Sequence, residues 1–336
     1  MFRNSGLLSC LLLSLAAMSF CVCAEESNWA LFKHNYLSQE GRIIDHENGD
    51  ISHSEGQGYG MLLAVVNDDP TAFEQMWRWT RHTLLRPSLG LFAWRFDPKT
   101  ASVTDENNAS DGDTLIAWAL LLAGNKWHDE GYLKSSASIQ DAIVNCLILE
   151  LDNQTLLLPG LSGFTKDDGY IINPSYFIFP AWDSFWQQRH NDIWLKLKKS
   201  SLALLEKARF GKTQLPSDWI FVKNSGEVMP AVNWPARFSY DAIRIPLYLS
   251  LSEPQQHSTD NFRQFWANYA RTGTPAWVDV SGANQASYDM SGGILAVRDL
   301  TMGDYQHMEK SLHRDEGYYL SALHMLSLFA VSLKGN

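Results

Sequence analysis

Helix starts recur along this chain at similar intervals, and that recurrence narrows the available folds more than any other feature. Ser54-Glu55-Gly56-Gln57 fits a capping box, with Ser54 as N-cap and Gln57 at the third helical position. Ser110-Asp111-Gly112-Asp113 is the acidic variant of the same device. Asn173-Pro174 joins an N-cap to a proline at the first helical position. Ser239-Tyr240-Asp241 opens a further apolar stretch, in which Pro246 predicts a kink or an early stop. The starts lie 56, 63 and 66 residues apart, room for two helices of ~12–15 residues plus loops. Each interval reads as one helical hairpin, with corresponding helix mouths facing the same way. The expected architecture is a stacked array of α-hairpins, open or closed into a toroid.

The apolar periodicity agrees. Trp29, Phe32, Tyr36 and Leu37 repeat at helical spacing, as do Leu115, Ile116, Ala119, Leu122 and Ala123, and more weakly Leu202, Leu205 and Ala208. Strand-like alternation is scarce, with Trp219 to Val222 the best candidate. No linker or charge block divides residues 25–336, which read as one domain. Residues 1–24 have the form of a secretory leader: Arg3, an apolar run from Gly6 to Cys23, and the small residues Val22 and Ala24 before Glu25. No later run reaches the roughly 18 apolar residues of a spanning helix. The expected product is a soluble, monomeric protein of the periplasm or the medium. Cys10, Cys21 and Cys23 leave with the leader, so Cys146 has no disulfide partner and is expected as an inert buried thiol.

Charge and aromatic content narrow the partners. The chain carries 27 basic and 37 acidic residues, net −10, and −11 once Arg3 is lost. An acidic exported chain without a basic run is a poor binder of nucleic acid or anionic lipid. Its 13 Trp, 12 Tyr and 16 Phe supply a core and also suit stacking on the apolar faces of sugar rings.

Two acids at helix mouths are candidates for chemistry. Glu55 is followed by Gly56, Gly58 and Gly60, which either admit a ligand close to the backbone or allow close helix packing. A proton-donating Glu55 needs burial or a second carboxylate to raise its pKa against the helix field. Asp111 lies in that same kind of field, which favours an ionised carboxylate, and Asp113 reads as the cap partner. Nucleotide binding is disfavoured: Gly56 to Gly60 lacks the G-x-G-x-x-G spacing and a preceding strand. His53 and His128 read as surface or capping residues. No calcium loop, H-E-x-x-H or G-x-S-x-G pattern is present, so no metal or cofactor is expected.

The stretch "ASDGDTLIAWALLLAGNKW", Ala109 to Trp127, resembles the signature of glycoside hydrolase family 8. "SEGQGYGM" resembles that family's general-acid segment and "FSYDAIRIPLY" its base segment. With "YLSQEGRIID", "NPSY" and "YYLSALHMLSLFA" the likeness spans nearly all of residues 25–336, and it is nearest to periplasmic endoglucanases encoded with bacterial cellulose synthase. The resemblance implies an all-α (α/α)6 toroid that cleaves β-1,4-glucan with inversion. It implies Glu55 as proton donor, Asp241 as base, and Asp111 as the carboxylate beside the cleaved bond. Trp94 and Tyr176 become candidate stacking platforms, and Tyr240 and Arg244 candidate supports of the site, with core packing as the alternative for each of the four. The implied partners are the glucan chain and cellulose synthase or export machinery. Xylan or mixed-linkage glucan as substrate, and a non-catalytic glycan-binding role in polymer export, stay open.

Overall fold

The computed structural model describes residues 27–152, 154–252 and 258–334. The expected leader and its three cysteines lie outside the described residues. Among the described residues eleven α-helices follow in order: α1 (Asn28–Tyr36), α2 (Ser54–Val66), α3 (Pro70–Thr83), α4 (Ser110–Trp127), α5 (Glu130–Leu147), α6 (Phe179–Arg189), α7 (Ile193–Lys207), α8 (Arg244–Leu251), α9 (Asp260–Trp266), α10 (Gly292–Met302) and α11 (Tyr318–Lys334). Contacts α2 to α4, α4 to α6, α6 to α8, α8 to α11 and α11 back to α2 close a ring, with α10 packed on both α8 and α11. Outside it α3 covers α2, α5 covers α4, α7 covers α6, α9 covers α10 and α1 covers α11. This is an (α/α)6 barrel.

Burial explains why the inner helices look alike in sequence. Eleven of the thirteen residues of α2 are buried, and fourteen of the eighteen in α4, so both are apolar around much of their circumference rather than on one stripe. In α7, on the outside, the buried stripe is Ile193, Trp194, Leu197, Ser201 and Leu204. It lies beside the stripe read from periodicity, of which Leu202 and Leu205 only flank the core while Ala208 is buried in it. Cys146 is half-buried rather than fully enclosed.

The helix starts at Ser54 and Ser110 fall where the sequence places them, whereas α6 and α8 begin later, at Phe179 and Arg244, and the caps differ. The N-cap of α2 is His53, whose Nδ1 accepts the Gly56 N–H at 3.2 Å. Gln57 points away from the cap and is fully buried: its Oε1 accepts the Ile43 N–H at 2.5 Å, and its Nε2 donates to Thr80 Oγ1 at 2.8 Å. The residue therefore ties α2 to the turn before it and to α3. α4 has no side-chain cap, and Asp113 serves elsewhere. Asn173 caps Ser175 N–H at 3.0 Å as expected, but the turn it opens is a short 3-10 turn, Pro174–Tyr176, and α6 begins at Phe179. Pro246 neither kinks nor stops a helix. It sits in the first turn of α8, where backbone N–H groups lack intrahelical partners in any case.

Strand is more plentiful than alternation suggests: twelve short strands in four antiparallel sheets among the described residues. Ile220–Lys223 is one, close to the expected position. The hairpin of Leu91–Asp97 with Ser102–Asn108 has no alternating signature, because Leu91, Phe92 and Ala93 are all buried while its partner strand is mostly exposed and polar. That hairpin and the 3-10 turn build up the barrel mouth at the helix N-termini.

Two glycines set how closely α2 and α4 approach. A Cβ on Gly112 would lie 2.6 Å from Ser54 Cβ and 2.8 Å from its backbone carbon, and one on Gly58 would lie 2.5 Å from Leu115 Cβ. Gly60 would meet Ile43 and Met76. Gly58 and Gly60 are therefore packing contacts, not an opening for ligand.

Candidate active site

First turns of four inner helices converge at the barrel mouth, because the inner helices run parallel. Glu55 comes from α2, Asp111 from α4, Arg244 from α8 and Tyr318 from α11. Arg244 is buried and joins the acids. Its Nη1 donates to Glu55 Oε2 and, at 3.1 Å, to Asp111 Oδ2. Its Nη2 donates to Asp241 Oδ1 and to Ser175 Oγ, both at 2.7 Å. Tyr318 Oη donates to Glu55 Oε1 at 2.8 Å, and Asp111 Oδ1 accepts the Gly112 N–H at 2.8 Å.

The three carboxyls differ in their access to water. Their side chains are 3 % exposed for Asp111, 17 % for Glu55 and 35 % for Asp241. Asp241 is the most exposed of the three, and it lies on the turn before α8, not in a helix.

Electrostatics reverses one sequence expectation and qualifies another. Burial raises Asp111 to about 7 against the pull of Arg244, with Glu55 adding to the rise. The helix field loses to desolvation, so Asp111 is largely protonated below neutrality. Burial also pushes Glu55 up, but Arg244, His53 and the Tyr318 hydroxyl outweigh it and hold the carboxyl below its usual range. Asp111 hydrogen-bonds Glu55 as well, which places the proton of the pair on the Asp111 side of that bond in the ligand-free site. Asp241 is raised by burial, with Arg244 opposing and Glu55 reinforcing. One guanidinium thus serves three acids, and their protons titrate as a set.

Two cavities meet at this set. One, about 370 Å³, is lined by Trp94, Tyr176, Glu55, Asp111, Asp241 and Arg244. The other, about 470 Å³, is lined by Tyr240, Tyr318, Tyr319 and Glu47 and shares Glu55 and Asp241 with the first. Glu55 and Asp241 line both cavities and Asp111 the first alone. Trp94 and Tyr176 are half-buried on the wall of one side. Arg244 lies over the Tyr176 ring at 5.5 Å and over the Tyr319 ring at 6.0 Å. Tyr240 does not support Arg244. Its ring is exposed on the rim of the second cavity, and its carbonyl accepts from the Tyr319 hydroxyl. Among the described residues no three His, Cys, Asp or Glu side chains are grouped to hold a metal ion.

The sequence model of glycosyl hydrolases family 8 matches residues 2–332. The chain belongs to this family. It is 44 % identical over 280 residues to an endoglucanase of Cellulomonas uda, covering 83 % of this chain and 78 % of that one. It is 36 % identical over 310 residues to a probable endoglucanase of Novacetimonas hansenii, covering 91 % of each. The crystal structure of a Klebsiella pneumoniae endoglucanase, described as a family 8 glycosyl hydrolase, superposes with a TM-score of 0.89 at 43 % identity, over 91 % of this chain and 99 % of that one.

Within this family 8 site the structure brings together every acid singled out from sequence, and Arg244 touches all three. Four contributors escaped sequence reasoning. Tyr318 is 263 residues from Glu55, and Ser175 is 69 from Arg244. Asp45 is buried beside His53, with 3.4 Å between Asp45 Oδ2 and His53 Nε2. Asp218 accepts the N–H groups of Ser239 and Ala242 around the turn that carries Asp241. Asp45 is only eight residues from His53, but the other three work through contacts 21 or more residues along the chain.

Proposed function

We propose that this protein is an endo-β-1,4-glucanase that cleaves with inversion, with Glu55 as general acid, Asp241 as general base and Asp111 as the carboxylate beside the reacting sugar. The observation that carries this reading is three differently solvated carboxyls joined by one arginine, where two adjoining cavities share Glu55 and Asp241. Space on both sides of Glu55 and Asp241 suits internal cleavage of a chain. Inversion requires a proton on the leaving oxygen and a water held by a second carboxylate on the opposite face. Asp241, the most accessible of the three acids, suits the second task. The proton for the first is held between Asp111 and Glu55. A sugar ring entering above Asp111 separates the pair, expels water and favours the neutral form of Glu55, while the Asp111 carboxylate faces the positive charge that grows on the ring. Half-buried Trp94 and Tyr176 offer ring faces along one arm of the cleft, and Tyr240 along the other.

The endoglucanase names of the relatives support glucan as substrate. The sequence likeness also supports export through the 1–24 leader and work beside cellulose synthase in the periplasm. Two measurements test the enzymatic core. Viscosity of carboxymethylcellulose should fall faster than reducing ends accumulate, and proton NMR should show the α-anomer first from β-linked cello-oligosaccharides. Hydrolysis confined to xylan or mixed-linkage glucan would move the substrate assignment; β-anomer appearing first would overturn inversion.

A further inference from the structure

Asp241 poses a placement problem. Its side chain is one-third exposed, so packing does not hold it, and it precedes α8 on a turn of residues 239–243. Backbone N–H groups at such a helix entrance need acceptors. They find one in Asp218, more than twenty residues earlier. Its Oδ1 accepts the N–H groups of Ser239 at 2.9 Å and Ala242 at 2.8 Å, and its Oδ2 accepts the Ser239 hydroxyl at 2.6 Å. The Asp218 N–H donates in turn to the Arg237 carbonyl at 2.7 Å, so the clamp holds the turn from both ends. Its own support is stiff. Trp219, the next residue, stacks between Phe164 at 5.8 Å and Trp234 at 5.1 Å, and Arg237 pairs with Asp279 at 3.0 Å.

We infer that Asp218 is a positioning residue for the catalytic base: a helix cap supplied from a distant segment, which fixes Asp241 against Arg244 at the distance its water needs. This rests on the assignment of Asp241 as base. What the turn uses is its acceptor oxygens, which take the Ser239 and Ala242 N–H groups and the Ser239 hydroxyl. An amide in its place keeps the oxygen that takes both N–H groups. A glutamate keeps both oxygens but moves them by one methylene.

Kinetics on cello-oligosaccharides, with melting temperatures for every variant, test this. Asp218→Asn should keep kcat within about fivefold of the parent, because the amide oxygen still accepts. Asp218→Glu and Asp218→Ala should lower kcat by about 10²-fold with KM little changed, the loss expected from a misplacement near 1 Å. Asp218→Ala combined with Asp241→Asn should be no slower than Asp241→Asn alone, since both losses pass through one group. Should Asp218→Ala fail to fold, Asp218→Glu carries the same test. Full kcat in Asp218→Glu or Asp218→Ala, with Asp241→Asn inactive, would overturn the inference. So would an inactive Asp218→Asn beside an active Asp218→Glu, which would make charge the operative property. Parent-like activity in Asp241→Asn would instead remove the base assignment and the inference with it.

Discussion

Asp113 Oδ1 accepts the backbone N–H of Phe92 at 2.8 Å, and its Oδ2 accepts the Asn108 amide at 2.6 Å. Asp113 is therefore not a cap. It fastens the hairpin that carries Trp94 onto α4, two residues beyond Asp111. The neighbouring acids should separate cleanly on substitution. Asp113→Ala leaves two donors unpaired, at about 1–3 kcal/mol each when they stay buried, and a thermal melt should show the loss. Asp111→Asn should leave the melt unchanged or slightly higher while turnover falls by about 10²-fold or more, the scale of losing one electrostatic contact to a reacting centre.

Stability should also decline as pH rises through the mildly acid range. Folded Asp111 and Asp113 are raised to about 7 and Asp218 to about 6, against 3.8 for an ordinary Asp. Between about 4 and about 7 the unfolded chain gives up protons that the folded chain keeps, so unfolding gains favour with rising pH. His324, raised above 6.5, adds a loss in the same direction as pH passes its folded value. Glu55 and Asp45, both lowered, oppose this only when pH falls below the usual carboxylate range. Melting temperature should be highest in mildly acid buffer and drop toward pH 7, with a shallower slope in Asp113→Asn; a steady rise from pH 4 to 7 would contradict it.

Acid and base should part company on an activated substrate. Glu55→Gln and Asp241→Asn each remove assistance worth ~10²–10⁴ on ordinary glucan. With β-cellobiosyl fluoride, whose leaving group departs unprotonated, Glu55→Gln should regain activity and Asp241→Asn should not. Equal recovery in both would mean the roles are misassigned.

Tyr318→Phe deletes a donor to the charged form of Glu55. Arg244 and His53 still lower that carboxyl and burial still raises it, so the net change is upward. With substrate bound, Glu55 then stays protonated to higher pH, and the alkaline limb of kcat should move up. An alkaline limb that stays in place or moves down would show that Glu55 does not set it.

Gly112→Ala forces a methyl into Ser54. Overpacking of this kind costs about 1–3 kcal/mol, and because Ser54 precedes Glu55, activity should fall along with stability. A variant as active and as stable as the parent would show that the helices can part here without consequence.

The parts of this molecule legible in sequence are those with local causes. Helix mouths at 54 and 110 announce themselves by polar starts before apolar runs, and the acids there were found. Their caps were misread because Ser54 and Gln57 fit a local pattern, while burial gave Gln57 partners in Ile43 and Thr80 instead. The Leu91–Asn108 hairpin was missed because its burial is not alternating. The protonation of Asp111 was misjudged because a helix field is readable from sequence, whereas complete enclosure among Glu55, Arg244 and Tyr176 is not. Tyr318, Ser175 and Asp218 are set by closure of the ring, which no window of sequence contains.

The three acids are mounted on unequal supports. Glu55 and Asp111 ride on helices in close contact at Gly112, with only the small Ser54 side chain between them. Their spacing is a property of two whole helices, a gauge cut into the frame. Asp241 stands on a tethered turn, and the aromatic walls stand on hairpin and turn residues. A change of glycan diet therefore has a ready place to occur: the walls at Trp94, Tyr176 and Tyr240 can be recut without re-cutting the gauge.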